Sequence, residues 1–306
     1  MNAAPLVDVV VVNYNAGDAL LRCLRSVLEQ ADPLHVTVVD NASSDGSMDA
    51  LHERYGSDPR LTLVLNPDNP GFARAVNRIL ERPPPGRSGK DAPYLLILNP
   101  DCELDPGALR LLREALDSDP QAGLAAPLVV DAHGTPQRAS LRRFPDPWRA
   151  LMQFSGLWRL GGRYPGWSGV EMAVDEVGDG AGDGAGGAQQ AEAVSGACML
   201  LRRPLFDRLG GLDPRYGLHC EDLDLMYRLH LAGHHSLFVP QARACHQQGV
   251  SSSSRPLWVH WQKHLGMQRF FLKFQAPDRA FPVRWLVRAG IWLRFALTLP
   301  LAWLRR

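Results

Sequence analysis

Cysteine is scarce in this 306-residue chain, and its five copies, Cys23, Cys102, Cys198, Cys220 and Cys245, form no C-x-x-C pair. That spacing excludes a zinc site of the usual kind, and an odd count excludes a complete disulfide framework. Two glycine motifs are missing as well. After the first apolar run the chain reads Asn13-Tyr14-Asn15-Ala16-Gly17 where a dinucleotide fold needs G-x-G-x-x-G, and G-x-x-x-x-G-K-[ST] occurs nowhere. Diphosphate charge, if this chain meets it, is not met by a glycine-tight turn. Residues 1 to 6 show no basic start followed by an apolar stretch, so no secretory signal is visible and a cytoplasmic setting is expected. No uncharged run approaches the roughly 18 residues that span a bilayer. Acidic residues give out after Asp224. Up to that point 21 basic residues meet 31 acidic ones; beyond it 12 basic residues meet only Asp278, so −10 and +11 make up the net +1. A basic tail of this kind seeks anions.

What is present is the material of a globular α/β protein: 45% hydrophobic and 21% charged residues, enough chain for one large core or two modest ones. Val7 to Val12 is an almost unbroken β-branched run, the pattern of a strand covered on both faces. A helix follows from Gly17-Asp18 to about Gln30, with Leu20, Leu21, Leu24, Val27 and Leu28 at helical spacing. The alternation repeats: a strand from His35 to Asp40, a helix including Leu51, a strand from Leu61 to Leu65, a helix from Phe72 to Leu80. A fourth strand from Tyr94 to Leu98 precedes a helix that starts at Pro106. Four strand-then-helix units imply a parallel, doubly wound sheet, because each crossover returns the chain to the same edge.

Ligands on such sheets bind at the carboxyl ends of strands. Here those ends carry Asn13, Asn15, Asp40, Asn41, Asn99 and Asp101. Singly each reads as a turn residue; their recurrence at strand after strand reads as a site. With no glycine cradle, a divalent cation on Asp101 is the economical partner for phosphate, since Mg²⁺ takes one or two carboxylates plus phosphate oxygens. Further along, Ser195-Gly196 precedes a strand, Glu221-Asp222-Leu223-Asp224 opens a helix, and a solitary His246 follows the strand Leu237 to Val239. Two insertions interrupt the pattern, residues 83 to 90 and the Gly/Asp-rich stretch 178 to 187, the second read as a flexible loop. Pro136 to Trp167 has no clear period and is expected to be a loop-and-helix lid near the site.

Four blocks in order, VVVVNYNAGDALLRCLRSVL, VVDNASSDGS, NPGFARAVN with LLILNPDCEL, and SGACMLLRRPLFDRLGGLDPRYGLHCEDLDLMYRLHLAGH followed by His246, resemble glycosyltransferase family 2. The likeness covers roughly residues 7 to 254 and is greatest to the rhamnosyltransferase-like branch of these inverting, GT-A type enzymes. It implies donor contacts at Asn13, Tyr14, Asn15, Asp40, Asn41, Gly71, Arg74, Asn77, Asn99 and Gly196. Asp40 then accepts the N3–H of uracil or thymine, as an ionised carboxylate is acceptor-only; a turn cap is the other reading, and Arg74 reads equally as a surface charge. The likeness further implies that Asp101 and His246 hold Mg²⁺ or Mn²⁺, with Asn99 where many relatives have the leading acid of a D-x-D element. Asp222 becomes the catalytic base for inversion, and Glu221 either orients the helix start or takes that role itself.

The expected architecture is an α/β GT-A domain over residues 1–254, with a nucleotide-binding half at 1–117 and an acceptor half at 118–254, and a helical extension at 255–306. On one helix, Arg284, Arg288, Arg294, Arg305 and Arg306 fall within an arc of about 120° opposite a greasy face. Such a helix lies in the plane of an anionic membrane, or packs on its own domain or a second subunit. The sequence thus reads as a transferase moving rhamnose from dTDP-rhamnose, or another hexose from a UDP-sugar, to a lipid-linked or cell-surface glycan on the cytoplasmic face of the membrane. Nucleic acid is not an expected partner. A non-catalytic nucleotide-sugar-binding scaffold is the alternative of another class, and a nucleotidyltransferase is disfavoured by the missing Gly-rich loop.

Overall fold

The computed structural model describes residues 7–81, 92–161, 163–164, 166–172, 187–247 and 255–303. The insertion at 83 to 90, nearly all of the stretch 178 to 187, and Arg305 and Arg306 lie outside the described residues. The first half alternates as its periodicity predicts: β1 (Val7–Asn13), α1 (Asp18–Leu28), β2 (Leu34–Asp40), α2 (Ser47–Tyr55), β3 (Leu61–Leu65), α3 (Phe72–Glu81) and β4 (Tyr94–Leu98). After β4 come β5 (Cys102–Leu104), α4 (Ala108–Ser118) and β6 (Ala122–Val130). A single 3-10 turn leads into β7 (Leu141–Arg142) and α5 (Pro147–Ser155), then β8 (Gln189–Ala191), β9 (Ala193–Val194), β10 (Cys198–Arg202) and α6 (Arg203–Arg208). The chain ends with α7 (Glu221–Leu231), β11 (His235–His246), α8 (Pro256–Phe274) and α9 (Phe281–Trp303).

Nine strands form one sheet in the order β3-β2-β1-β4-β10-β6-β11-β5, with β8 also on β11. Strands β3, β2, β1 and β4 run parallel, in the register Asn13 opposite Asp40 and Val11 opposite Leu98. Strand β10 then runs antiparallel between β4 and β6, pairing Cys198 with Leu98. That reversal brings the start of β10 beside the end of β4. Buried side chains cover both faces of the sheet: Leu20, Leu24, Leu109 and Leu112 on one, Ala75, Val76, Leu205, Phe206, Leu225 and Phe270 on the other.

Strand β11 is longer than the run Leu237 to Val239 suggests. Pro240 and Gln241 break the alternation, and the pairing with β6 shifts register between Val239 and Arg243. The strand resumes and carries His246 to the sheet's functional edge, where it stands opposite Cys102. Helix α8 turns Phe270 and Phe271 into the core and leaves Trp258 and Trp261 exposed. Helix α9 packs on α8 through Trp292 Nε1 donating to Gln268 Oε1 at 2.7 Å and His260 stacking on Phe295 at 5.0 Å. Pro300 sits within it without ending it.

Candidate active site

At the ends of β1 and β2, Asn13 is wholly buried, and its Nδ2 donates to Asp40 Oδ1 (2.9 Å), Ser47 Oγ (3.0 Å) and Ser43 Oγ (3.1 Å). Asp40 Oδ2 accepts from the Ser43 amide at 3.0 Å, and Ser43 Oγ donates to Oδ1 at 2.5 Å. Three contacts leave this carboxylate with acceptor capacity on Oδ2. Asp40 lines a cavity of about 360 Å³ with Ser43, Ser44, Asp45, Met48, Leu65 and Asn66. Asn15 adopts left-handed backbone, φ 51°, so that its Oδ1 meets the Ser44 amide at 2.8 Å. The Tyr14 ring lies 5.8 Å under the Arg255 guanidinium at the start of α8. Asn41 accepts from Asn66 Nδ2 (2.9 Å) and donates to Asn69 Oδ1 (3.3 Å), which also takes the Gly71 amide (3.0 Å).

Two expected donor contacts face elsewhere. Asn77 clamps the backbone of Leu212, donating to its carbonyl at 2.7 Å and accepting its amide at 2.9 Å. Arg74 is exposed and directs Nε toward the Pro214 carbonyl at 3.4 Å. Both tie α3 to the loop before α7. Glu103 pairs with Arg22 at 2.9 Å.

Asp101 and His246 come together: Nε2 lies 3.2 Å from Oδ1. The Gln137 side chain fixes the ring. Its Nε2 donates to the His246 carbonyl at 2.7 Å, which turns its Oε1 toward His246 Nδ1 at 3.3 Å and makes that nitrogen the donor. In the neutral imidazole His246 Nε2 then presents a lone pair to a carboxylate oxygen, and a cation between them reconciles two acceptors so placed. Ligands 2.1 Å from an octahedral ion stand about 3.0 Å apart along an edge, close to the observed separation. The pair therefore fits a divalent cation. Among the described residues no group of three or more His, Cys, Asp or Glu stands ready for a metal, so phosphate oxygens and water would complete the shell.

The amide of Asn99 donates to the Ala197 carbonyl at 2.9 Å, and its Nδ2 lies 3.4 Å from His246 Nε2. One residue earlier, Gly196 leaves room for Asp222: a Cβ there would fall 2.7 Å from Oδ2. The glycine expected at the donor thus backs the carboxylate instead. Through this continuous path, His246, Asp101, Asn99, Ala197, Gly196 and Asp222 belong to one site. His219 and Cys220, at φ 66° and 70°, turn the chain so that Glu221 and Asp222 open α7.

The two acids differ in environment. Arg142 NH2 donates to Asp222 Oδ2 at 2.6 Å, both side chains being 16% exposed. Burial works to raise the Asp222 carboxyl, but Arg142 outweighs it and holds the group below its usual value. Glu221 has no such partner: Oε2 is buried without a hydrogen bond, and burial, then the charge of Asp222, push its carboxyl up to about 8. At neutral pH Asp222 is the ionised member. Sequence reasoning passed over Arg142 and Gln137. Both lie in the unassigned stretch 136 to 167, whose one visible signal is six arginines against the single acid Asp146.

An α/β sheet of this order, with a carboxylate–imidazole pair and a helix-borne acid along its strand ends, defines a GT-A glycosyltransferase. The chain belongs to glycosyl transferase family 2, whose description matches residues 8–178. It is 30% identical over 296 residues to the N-acetylglucosaminyl-diphospho-decaprenol L-rhamnosyltransferase of Mycobacterium tuberculosis (strain ATCC 25618 / H37Rv), covering 94% of this chain and 91% of that one. Among solved structures it resembles mannosyltransferase PcManGT from Pyrobaculum calidifontis in complex with GDP-Man and Mn²⁺. The TM-score is 0.58 at 20% identity, over 99% of this chain and 74% of that one. GalNAc-T7 with UDP, GalNAc and Mn²⁺ gives 0.62 at 16% identity, over 94% and 55%.

Proposed function

We propose that this glycosyltransferase transfers rhamnose from dTDP-rhamnose, with inversion, to the sugar of an N-acetylglucosaminyl-diphospho lipid at the cytoplasmic face of a membrane. The observation that carries the reading is the single path joining Asp101 and His246 to Asp222 through Asn99 and Gly196. The rhamnosyltransferase relative, alike over nearly its whole length, supports the donor and acceptor. Asp40 has an acceptor position for a base N3–H, and the apolar Met48 and Leu65 on its cavity suit the thymine methyl group. The same carboxylate accepts uracil, which keeps a UDP-hexose as the second reading.

In this reading residues 1–117 bind the nucleotide, residues 118–254 supply the acceptor side, and residues 255–306 seat the enzyme on an anionic membrane. Asp101 and His246 would hold Mg²⁺ or Mn²⁺, which when bound neutralises the leaving diphosphate. Asp222 takes the proton of the acceptor hydroxyl as the new C1–O bond forms and the C1–O bond to the diphosphate breaks on the opposite face. Arg142 keeps that carboxylate charged and aimed; Gly196 lets it approach. Glu221, protonated at neutral pH, adds no second charge beside it.

Helix α9 suits the membrane role. By length and composition alone it is long and apolar enough to cross a bilayer, yet its arginines favour lying in plane. Leu286, Leu293, Leu297 and Leu301 are all exposed, with Trp285 and Trp303 near its two ends. The deciding experiment incubates the purified protein with dTDP-rhamnose or a panel of UDP-sugars, Mn²⁺ and N-acetylglucosaminyl-diphospho-undecaprenol, with product mass and anomeric configuration as readouts. A deoxyhexose product of inverted configuration is expected. Transfer only from a UDP-hexose overturns the donor assignment, and no transfer from any donor overturns the reading.

A further inference from the structure

Helices α8 and α9 carry a pair of cations that the chemistry above does not use. The segment 262–266 of α8 lies against the loop that delivers the catalytic acids. A Cβ on Gly266 would stand 3.0 Å from the His219 carbonyl, and one on Gly217 would stand 2.6 Å from Gln262 Oε1. Lys263 sits within that segment, part of its side chain open to solvent and the rest packed on protein. One turn on, Met267 touches Arg294 of α9, NH1 to Sδ at 3.8 Å, and the Arg294 guanidinium lies 4.3 Å over the Phe154 ring. Among the described residues neither Lys263 nor Arg294 forms an ion pair. Glu171, the acid both of them feel, is engaged by Gln153 Nε2 at 3.2 Å and Arg138 at 3.7 Å.

Desolvation by the surrounding protein, and next the like charge of Arg294, hold the Lys263 ammonium below its usual range, with Arg142 adding to the repulsion. Like charges gathered where the one nearby carboxylate, Glu171, is already engaged by Gln153 and Arg138 are unfavourable until a further anion joins them. The position says which anion. Lys263 shares a helix face with Met267, which Arg294 touches, and its segment backs the turn that delivers Glu221-Asp222, while Arg294 adjoins the exposed Leu293 on α9; an anion here would have a reacting sugar on one side and a lipid on the other.

We propose that Lys263 and Arg294 form a subsite for the diphosphate of a lipid-linked acceptor. The assignment rests on the functional reading above and adds to it how the acceptor is held: sugar at Asp222, diphosphate on the two cations, isoprenoid chain along α9. Lysine and arginine suit this ligand, the first as a point charge and the second as a fork of donors to phosphate oxygens.

The test measures binding of farnesyl diphosphate to the full chain with the donor site saturated by dTDP, or by UDP if dTDP does not bind. Farnesol serves as the neutral control, and phosphatidylglycerol vesicles as the alternative phosphate source. Farnesyl diphosphate is expected to bind well above farnesol. Lys263→Glu should weaken it at least about tenfold, the size of one lost charge-assisted contact. Lys263→Arg should stay within about twofold of wild type, since the charge is kept, and nucleotide affinity should be unchanged in both. Failure to bind, or binding insensitive to Lys263→Glu, overturns the subsite. A parallel loss of dTDP affinity would give the cations to the donor diphosphate, and selective loss of vesicle binding would give them to lipid headgroups; either result also overturns it. Sugar transfer by the wild-type protein, assayed separately, judges the functional reading without bearing on this measurement.

Discussion

Replacing Arg142 by Gln removes the charge that keeps Asp222 ionised while leaving a donor for the Val194 carbonyl. In the wild type the folded carboxyl sits below its unfolded value, so its contribution to stability is present above the unfolded value and lost as pH falls through the folded one. A hydrogen bond to a charged group is worth about 1.5–3 kcal/mol, so this contact is a large part of what keeps the carboxylate ionised against burial. In Arg142→Gln that support disappears, and the burial that works to raise Asp222 is opposed only by the Leu223 amide and the His219 ring. The acid limb of kcat, measured from pH 5 to 9 at saturating donor and acceptor, should therefore move to higher pH. The variant should be most impaired at pH 5 to 6 and recover toward pH 8 and above. A loss of equal proportion at every pH would refute the reasoning, because it would mean that Arg142 positions Asp222 without governing its charge.

Glu221→Gln gives the complementary result. A carboxyl raised from about 4.5 to about 8 costs the fold stability as pH rises through that window, so the thermal midpoint of the variant should gain on the wild type steadily from pH 5 to 8.5, by a few degrees at the alkaline end; parallel curves would show that Glu221 ionises freely. Gln137→Leu should weaken Mn²⁺ binding, followed by isothermal titration in the presence of the nucleotide diphosphate, by about 10- to 100-fold, the usual cost of losing the partner that orients a histidine ligand. Arg203 is 2% exposed and bridges the fully buried Asp8 at 3.3 Å and Asp207 at 3.0 Å; Arg203→Met removes the buried cation from this bridge and should destabilise the protein by about 3–5 kcal/mol in urea unfolding. Leu293→Glu with Leu297→Glu should abolish flotation with phosphatidylglycerol liposomes while leaving the α8 contacts in place; undiminished flotation would remove α9 from the membrane role.

Legibility followed the range of each interaction. Strands β1, β2 and β4 announce themselves because a parallel strand buried on both faces must be largely apolar, and Val9–Val12 of β1 and Tyr94–Leu98 are. The acids and amides at their ends were readable for the same reason, as polar residues directly after an apolar run. Asn77 was placed on the correct helix but against the wrong neighbour. Helical spacing fixes a face and leaves open what that face meets, here the Leu212 backbone. Arg142 and Gln137 left no local mark, since their partners lie 80 and 109 residues away. The arcs of α9 were legible, but their direction was not: Arg294 turns in over Phe154 and Arg284 toward the Pro277 and Arg279 carbonyls, while the leucines face out. A soluble helix would be rotated the other way.

That inversion bears on how the two ends of the enzyme communicate. Asp224, one turn into the catalytic helix and wholly buried, accepts from Arg228 at 2.6 Å and from Lys273 of α8 at 2.5 Å. Lys273 also reaches Asp213 at 2.8 Å, where hydrogen bonds from Arg215 first, and from Lys273 next, keep the carboxyl well below its usual range despite burial. Two buried acids bridged by one ammonium, each held by an arginine of its own as well, make a rigid joint. The joint fastens α7, which carries Asp222, to α8, which carries Lys263 and supports α9. Under the proposed function, the apolar face of α9 and Asp222 are fixed to the same unit and would keep their separation whatever the donor half does. An acceptor anchored by its chain would then meet Asp222 at a set depth, and variation in donor would enter through the other half of the sheet, where Asp40 and its loop line the cavity.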